Sequence, residues 1–399
     1  MRKTTTLHAR IFLPLAGLCL LISCSKSSLN GSLPPANPNP VQTHVYGLLP
    51  VSDEEMQNVP LFTPEVLNGG KITNGLSFSG TLPSSYLMTT PAIRDQGQIG
   101  SCTGFCGTEA NEILKYYAQN GVVTAQPVIN STASAIAAVN ANKFSSPTSF
   151  FGTSGALAPL FLYYVERVKL EGRSISSDPG ANMVNIGQAL QGLTSNTGTG
   201  RSISPFGEST ENLYPYPSTL NSQGYNIASS NSRQYRTAPG SGAISNAATF
   251  AIAKEGGSTT TSGSTTAGYY YIAGTGDVTE VNNCKYAILN NKPVLMGFTV
   301  YDNSSYTVFE GLNTTSYVYN PLTNGSITKG LSALGGHAVP LVGYFDDGTA
   351  STSATGGGYF IVQNSWGTPW GYYGHFLLPY SVLRNSSVVG NNNLFVLVQ

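Results

Sequence analysis

The chain runs to 399 residues, with 19 basic and 19 acidic side chains and a formal net charge of zero. That length allows one large domain or two medium ones. Only 10% of positions are charged and no basic patch runs along the chain, so there is no electrostatic case for a nucleic-acid partner.

Arg2, Lys3 and Arg10 precede an apolar run from Ile11 to Ile22, the charge-then-apolar layout of a secretory signal. The run is too short to span a membrane comfortably. Its end, Leu21-Ile22-Ser23-Cys24, resembles a bacterial lipoprotein processing site. The resemblance implies that Cys24 is acylated as a lipid anchor and becomes the first residue of the mature chain; an ordinary signal that happens to contain a cysteine is the alternative. Residues 1–23 are therefore read as a lipoprotein-type signal and residues 24–81 as a tether and lead-in. That stretch is polar and Pro-rich from Ser25 to Pro40, with a short strand near His44–Leu49. The sequence leaves open whether it acts as an inhibitory propeptide. The expected location is the bacterial cell envelope, membrane-anchored on its periplasmic or surface face.

The body begins near Leu82-Pro83. Apolar spacing predicts helices over Cys102–Gln119, Ala158–Leu170 and Asn182–Leu193, with Asn120-Gly121 and Gly172 as stops. Residues 121–155 read as an insertion, and a second, loop-rich one covers about 220–276. A short helix near Glu280–Asn290 is followed by strand-like runs at Val294–Tyr301, His337–Phe345, Tyr359–Gln363, His375–Leu378 and Leu394–Val398. Helices first and strands later predict an α+β protein with two lobes. Of five cysteines, Cys19 falls in the signal and Cys24 at its end. Cys106 and Cys284 read as buried thiols, and the odd count leaves at least one thiol free to be a nucleophile. The four histidines are scattered and no Cys-x-x-Cys occurs, so neither a metal nor a cofactor is expected.

Three segments carry chemistry. In Arg94-Asp95-Gln96-Gly97-Gln98-Ile99-Gly100-Ser101-Cys102 a cysteine opens a helix, where backbone N–H groups and the helix dipole favour a thiolate. Glycines at 97 and 100 allow a tight approach loop. The Gln96 amide and the Cys102 N–H could then form an oxyanion hole. In Gly335-Gly336-His337 a histidine opens a strand behind two glycines. In Gln363-Asn364-Ser365-Trp366-Gly367 an asparagine at a strand end can fix an imidazole's tautomer while the tryptophan shields that bond.

Taken together, in the order Cys, His, Asn, the three segments resemble the papain family of cysteine peptidases over roughly residues 82–399. The resemblance implies a papain-like two-lobed fold: a helical left lobe, an antiparallel β-barrel-like right lobe, and the active-site cleft between them. It implies Cys102 as nucleophile, His337 as general base and acid, Asn364 as its orienter and Gln96 as oxyanion donor, with Trp366, Gly335, Gly336 and Thr103 lining the substrate cleft. Peptide or protein substrates would be hydrolysed through a thioacyl-enzyme, as by an endopeptidase. A catalytically silent peptide-binding or adhesion lipoprotein and a transpeptidase are the alternatives. The chain also departs from the family. Ile99 stands where a disulfide cysteine is common, Thr103 replaces a tryptophan, and Gly336 replaces papain's acidic residue. The stretch from Cys102 to His337 exceeds the about 130–150 residues of the papain pattern.

Overall fold

The apolar patterning plays out as helices followed by a sheet in a computed structural model that describes residues 44–57, 59–64, 82–121, 126–143, 156–192, 203–252 and 268–398. The helical part comprises α1 (Asp53–Met56), α2 (Cys102–Asn120), α3 (Thr132–Ala141), α4 (Pro159–Tyr164), α5 (Met183–Gln191) and α6 (Ser241–Ala247). The proposed signal and the Cys24 anchor lie outside the described residues.

The central helix α2 starts at Cys102 and ends where Gly121 adopts φ 68°. Its first half packs with α4 and α5 in one hydrophobic core that contains Cys106, Leu162, Met183 and Ile186. Pro159 sits at the start of α4, where its missing N–H costs nothing. The helix then widens into a π-helical turn over Val165–Leu170. A reciprocal Asn182–Asn185 capping box opens α5, and Gly192 closes it in the left-handed region. The first predicted insertion contains α3, capped by Ser131 and burying Ala135, Ile136 and Val139.

The second part holds β1 (Ser85–Leu87), β2 (Gly268–Tyr271), α7 (Val278–Leu289), β3 (Val294–Asp302), β4 (Leu322–Thr323), β5 (Ser326–Ile327), β6 (Ser332–Asp346), β7 (Gly358–Gln363), β8 (His375–Pro379), α8 (Tyr380–Leu383) and β9 (Leu394–Val398). The main sheet is antiparallel in the order β2-β9-β3-β6-β7-β8, with β1 attached to β6. The expected barrel-like closure is corrected here. Strands β2 and β8 end the sheet without meeting, and β1 branches off β6 instead of bridging them, so the sheet stays open.

Strand β6 sets the site. It pairs with β3 at His337↔Phe298 and with β7 at Leu341↔Val362, with a register shift between Leu341 and Gly343. Carried past the end of β7, that register brings Asn364 to Trp366 alongside His337. Bulges of this kind re-aim side chains next to sites. Cys106 and Cys284 are buried free thiols.

Candidate active site

Four chain segments converge on Cys102. Residues 94–96 lie against 365–367: Gln96 N–H donates to Ser365 O (2.9 Å) and Gly367 N–H to Arg94 O (3.0 Å). This holds the Gln96 side chain, whose Oε1 accepts from Ser365 Oγ (2.7 Å) while Nε2 donates to Ile99 O (2.9 Å). Gly97 turns the loop at φ 59°, a left-handed value that favours glycine. The loop is tied to residues 178–180, since Gly100 N–H donates to Asp178, which also accepts from Tyr163 Oη.

Opposite, His337 Nε2 lies 2.7 Å from Asn364 Oδ1. Asn364 Oδ1 accepts that proton, which leaves Nδ1 as the nitrogen able to take one; it is buried and has no hydrogen-bond partner. Trp366 covers the pair, its ring 5.0 Å from that of His337. Cys102 meets β6 one residue further on: the Ala338 N–H faces the sulfur and favours its thiolate. Cys102, Gln96, His337, Asn364 and Trp366 are thus gathered at one place, all fully buried. Thr103 turns away from the cleft, its hydroxyl donating to the buried Glu166 carboxyl (2.6 Å).

The lead-in closes this site. Residues 44–49 run through it as an extended chain bridged to β6 at Leu48↔Gly336, where a short strand was expected. Gln96 Nε2 donates to Val45 O (3.2 Å), so the anticipated oxyanion donor already holds a carbonyl. Ala181 N–H donates to Gly47 O (2.9 Å), Leu49 N–H to Ala181 O (2.9 Å) and Leu48 N–H to Gly336 O (3.0 Å). The fit is tight. A Cβ on Gly47 would lie 1.8 Å from Gly100 O, and one on Gly336 would lie 2.6 Å from Leu48 O. Gly335 backs Tyr46 in the same way. His44 stacks on Trp366 at 3.8 Å and 4°.

Burial changes the protonation expected of this pair. It pushes the Cys102 thiol up to about 11, although the Ala338 and Gly47 N–H groups pull the other way. It pushes His337 down to about 4 against the Asn364 bond, with His44 adding to the fall. The helix start alone predicts a thiolate; under the lead-in the dry site favours a neutral thiol beside a neutral imidazole. The five residues expected to carry acyl transfer are gathered together, and the groove they face is filled.

The comparisons bear on this arrangement. Residues 206–393 match the family described as papain family cysteine protease, a stretch holding His337, Asn364 and Trp366. Xylellain, a cysteine protease from Xylella fastidiosa, superposes with a TM-score of 0.56 at 22% identity, over 89% of this chain and 96% of its own. The fold is papain-like. Cathepsin C of Schistosoma mansoni is 32% identical over 136 residues, 32% of this chain and 25% of its own length. An uncharacterized peptidase C1-like protein of Acanthamoeba polyphaga mimivirus is 28% identical over 126 residues, 31% of this chain. The chain spans only 35% of that viral relative, so these matches cover a minor part of the curated proteins. Cys102 and Gln96 precede the family match and reach the papain-like site through the fold.

Ser365, Glu166, Glu310 and the lead-in contacts were not read from the sequence. Their partners lie far along the chain, 269 residues away for Ser365 with Gln96 and further still for His44 with Trp366, and no local pattern marks them. No group of three or more His, Cys, Asp or Glu among the described residues could hold a metal.

Proposed function

We propose that the chain is a cysteine peptidase in which Cys102 attacks a peptide carbonyl, with His337 as base and acid, Asn364 as its orienter and Gln96 as oxyanion donor. The observation that carries this is the Gln96 amide donating to a main-chain carbonyl beside Cys102, while Asn364 fixes the His337 ring with Nδ1 unengaged. Nδ1 takes the thiol proton, the sulfur adds to the carbonyl, and Gln96 Nε2 with the Cys102 N–H steadies the oxyanion. His337 returns the proton to the leaving amine, and water then releases the acyl group. The family match and the shared fold support hydrolysis of peptide or protein substrates.

The lead-in makes this a latent form. His44 lies at Trp366 and Leu48 at Gly336, so residues 44–49 fill the groove a substrate needs, and turnover requires them to leave or be cut. The charge-then-apolar layout before Cys24 supports export and anchoring by a lipid on that cysteine. Among the described residues no helix is long and apolar enough to cross a membrane. The test is covalent capture. An epoxide thiol inhibitor should label the activated chain at Cys102, and Cys102→Ala should lose both label and peptide cleavage, on the order of 10⁴-fold or more. Cleavage retained by that variant would refute the assignment.

A further inference from the structure

Resting on the peptidase reading, this inference concerns what the cleft recognises. The loop after β3 is pinned by Asp302, whose carboxylate accepts the N–H groups of Val308 (2.9 Å), Phe309 (2.8 Å) and Glu310 (2.9 Å). Phe309 packs on Trp366, ring centroids 5.1 Å apart. Glu310 is therefore fixed at the edge of the indole, and it is 4% exposed. Both groups that meet its carboxylate come from the lead-in. Tyr46 Oη donates to Oε1 at 2.7 Å, and His44 Nδ1 lies 3.5 Å from Oε2. His44 stacks flat on Trp366 with Nδ1 in ion-pair range of Oε2 but without a hydrogen bond to it, so an imidazole on the platform approaches the acid and stops short of bonding it. Among the described residues no lysine or arginine forms an ion pair with Glu310. When the lead-in leaves, an unpaired carboxylate faces the groove beside an aromatic face, and an uncompensated charge there favours a cation.

We propose that Glu310 and the face of Trp366 form a subsite for an arginine side chain on the leaving-group side of the cleaved bond. Three chemical features select arginine. A planar guanidinium stacks on an indole as the His44 ring does. Its stem is longer than that of histidine, so it reaches the carboxylate from the stacked position. Its forked N–H groups can take both oxygens at once, which a lysine ammonium cannot do with the same geometry. The subsite lies beyond His337, the group that protonates the departing amine, and so on the side of the new N-terminus.

The test uses the full-length chain and two peptides, identical except for arginine or alanine among the first residues after the cleaved bond, competing in one tube. The ratio of products is independent of the fraction of chains whose lead-in has left. Arginine should be favoured roughly tenfold, and the preference should fall as salt is raised. In Glu310→Gln, normalised to hydrolysis of a coumarylamide that has no residue on that side, the ratio should approach one. A wild-type ratio of one overturns the proposal without needing any variant, and so does a preference that survives Glu310→Gln. A chain whose Cys102 has become open to alkylation, the sign that the lead-in has left, and which still hydrolyses neither peptide nor the coumarylamide overturns the peptidase reading, and this assignment with it.

Discussion

The two walls of the cleft hold the same segment by different means. The wall built on α2 and the loops before it takes residues 45 to 49 by their main chain. It uses the Gln96 amide on Val45 O, Ala181 on both sides of Leu48, and Gly100 so close that Gly47 tolerates no side chain, while Gly47 O in turn leaves no room for one at Gly180. The wall built on the sheet adds one main-chain bond, from Leu48 N–H to Gly336 O, but mainly takes alternate side chains: His44 on Trp366, Tyr46 against Gly335 and Glu310, and Leu48 against Gly297. A main-chain grip ignores sequence, and a side-chain grip reads it. The proposed nucleophile and oxyanion donor thus sit on the wall that grips mostly main chain and reads sequence only where Gly100 crowds Gly47, and the imidazole sits on the wall that reads alternate side chains. The difference predicts that, the proposed catalytic groups apart, changes to the first wall alter how fast all peptides react, and that changes to the second alter which ones do.

The sharpest probe of the discriminating wall separates chemistry from orientation. His337→Ala removes the proton carrier and should lower turnover by about 10²–10⁴. Asn364→Ala removes one hydrogen bond to the ring, about 1.5–3 kcal/mol, and should cost roughly ten- to hundredfold. Rates measured on one coumarylamide decide it. A larger loss from Asn364→Ala than from His337→Ala would mean that the roles are misplaced.

The main-chain wall is broken most simply at Gly47. Any Cβ there meets Gly100 O at 1.8 Å, so Gly47→Val should expel the lead-in without touching a catalytic group. Cys102 is fully buried and its thiol is held at about 11, so the intact chain should alkylate slowly at neutral pH. The variant should alkylate at Cys102 on the order of tenfold faster, read by mass spectrometry of that peptide. Equal rates would show that residues 44–49 do not control access.

Much of this was legible beforehand because it is local. Cys102 with its glycines, His337 on its strand and Asn364 with Trp366 are short motifs, and the helices at 102, 159 and 183 repeat apolar residues at helical spacing. The lead-in was not legible in its role. A short extended stretch such as His44-Val45-Tyr46-Gly47-Leu48-Leu49 reads as a strand, but nothing in it says where it docks, and its partners, Gly336 and Glu310, lie hundreds of residues on. The open sheet was missed for a similar reason: strand composition does not tell whether β2 meets β8 or stops short. Thr103 was read as a wall of the cleft because a tryptophan is expected there. A threonine is small enough to turn inward, and only the fold shows the carboxyl of Glu166 waiting for it.

That carboxyl gives the smallest expected effect and the one most particular to this chain. Behind the main-chain wall, Glu166 accepts from Thr103 through Oε2 and leaves Oε1 without a partner. Burial raises it to about 8, against the lowering pull of Thr103, with the Glu171 carboxylate adding to the rise. Cys102, Cys106 and Tyr269 face it, and burial keeps all three protonated through the neutral range. Unfolded, Glu166 gives up its proton near 4.5; folded, it keeps it to about 8. Its contribution to stability is therefore full below 4.5 and is lost as pH rises through about 8. His337, lowered to about 4, works the other way: its cost to the fold fades as pH rises from about 4 to 6.5. Both chains carry that second effect, so their difference isolates Glu166. Between about pH 5 and about pH 9 the melting temperature of the wild type should fall more than that of Glu166→Gln, by a few degrees. Parallel slopes would mean that the carboxylate is already ionised in the folded chain, leaving a negative charge at the back of the nucleophile.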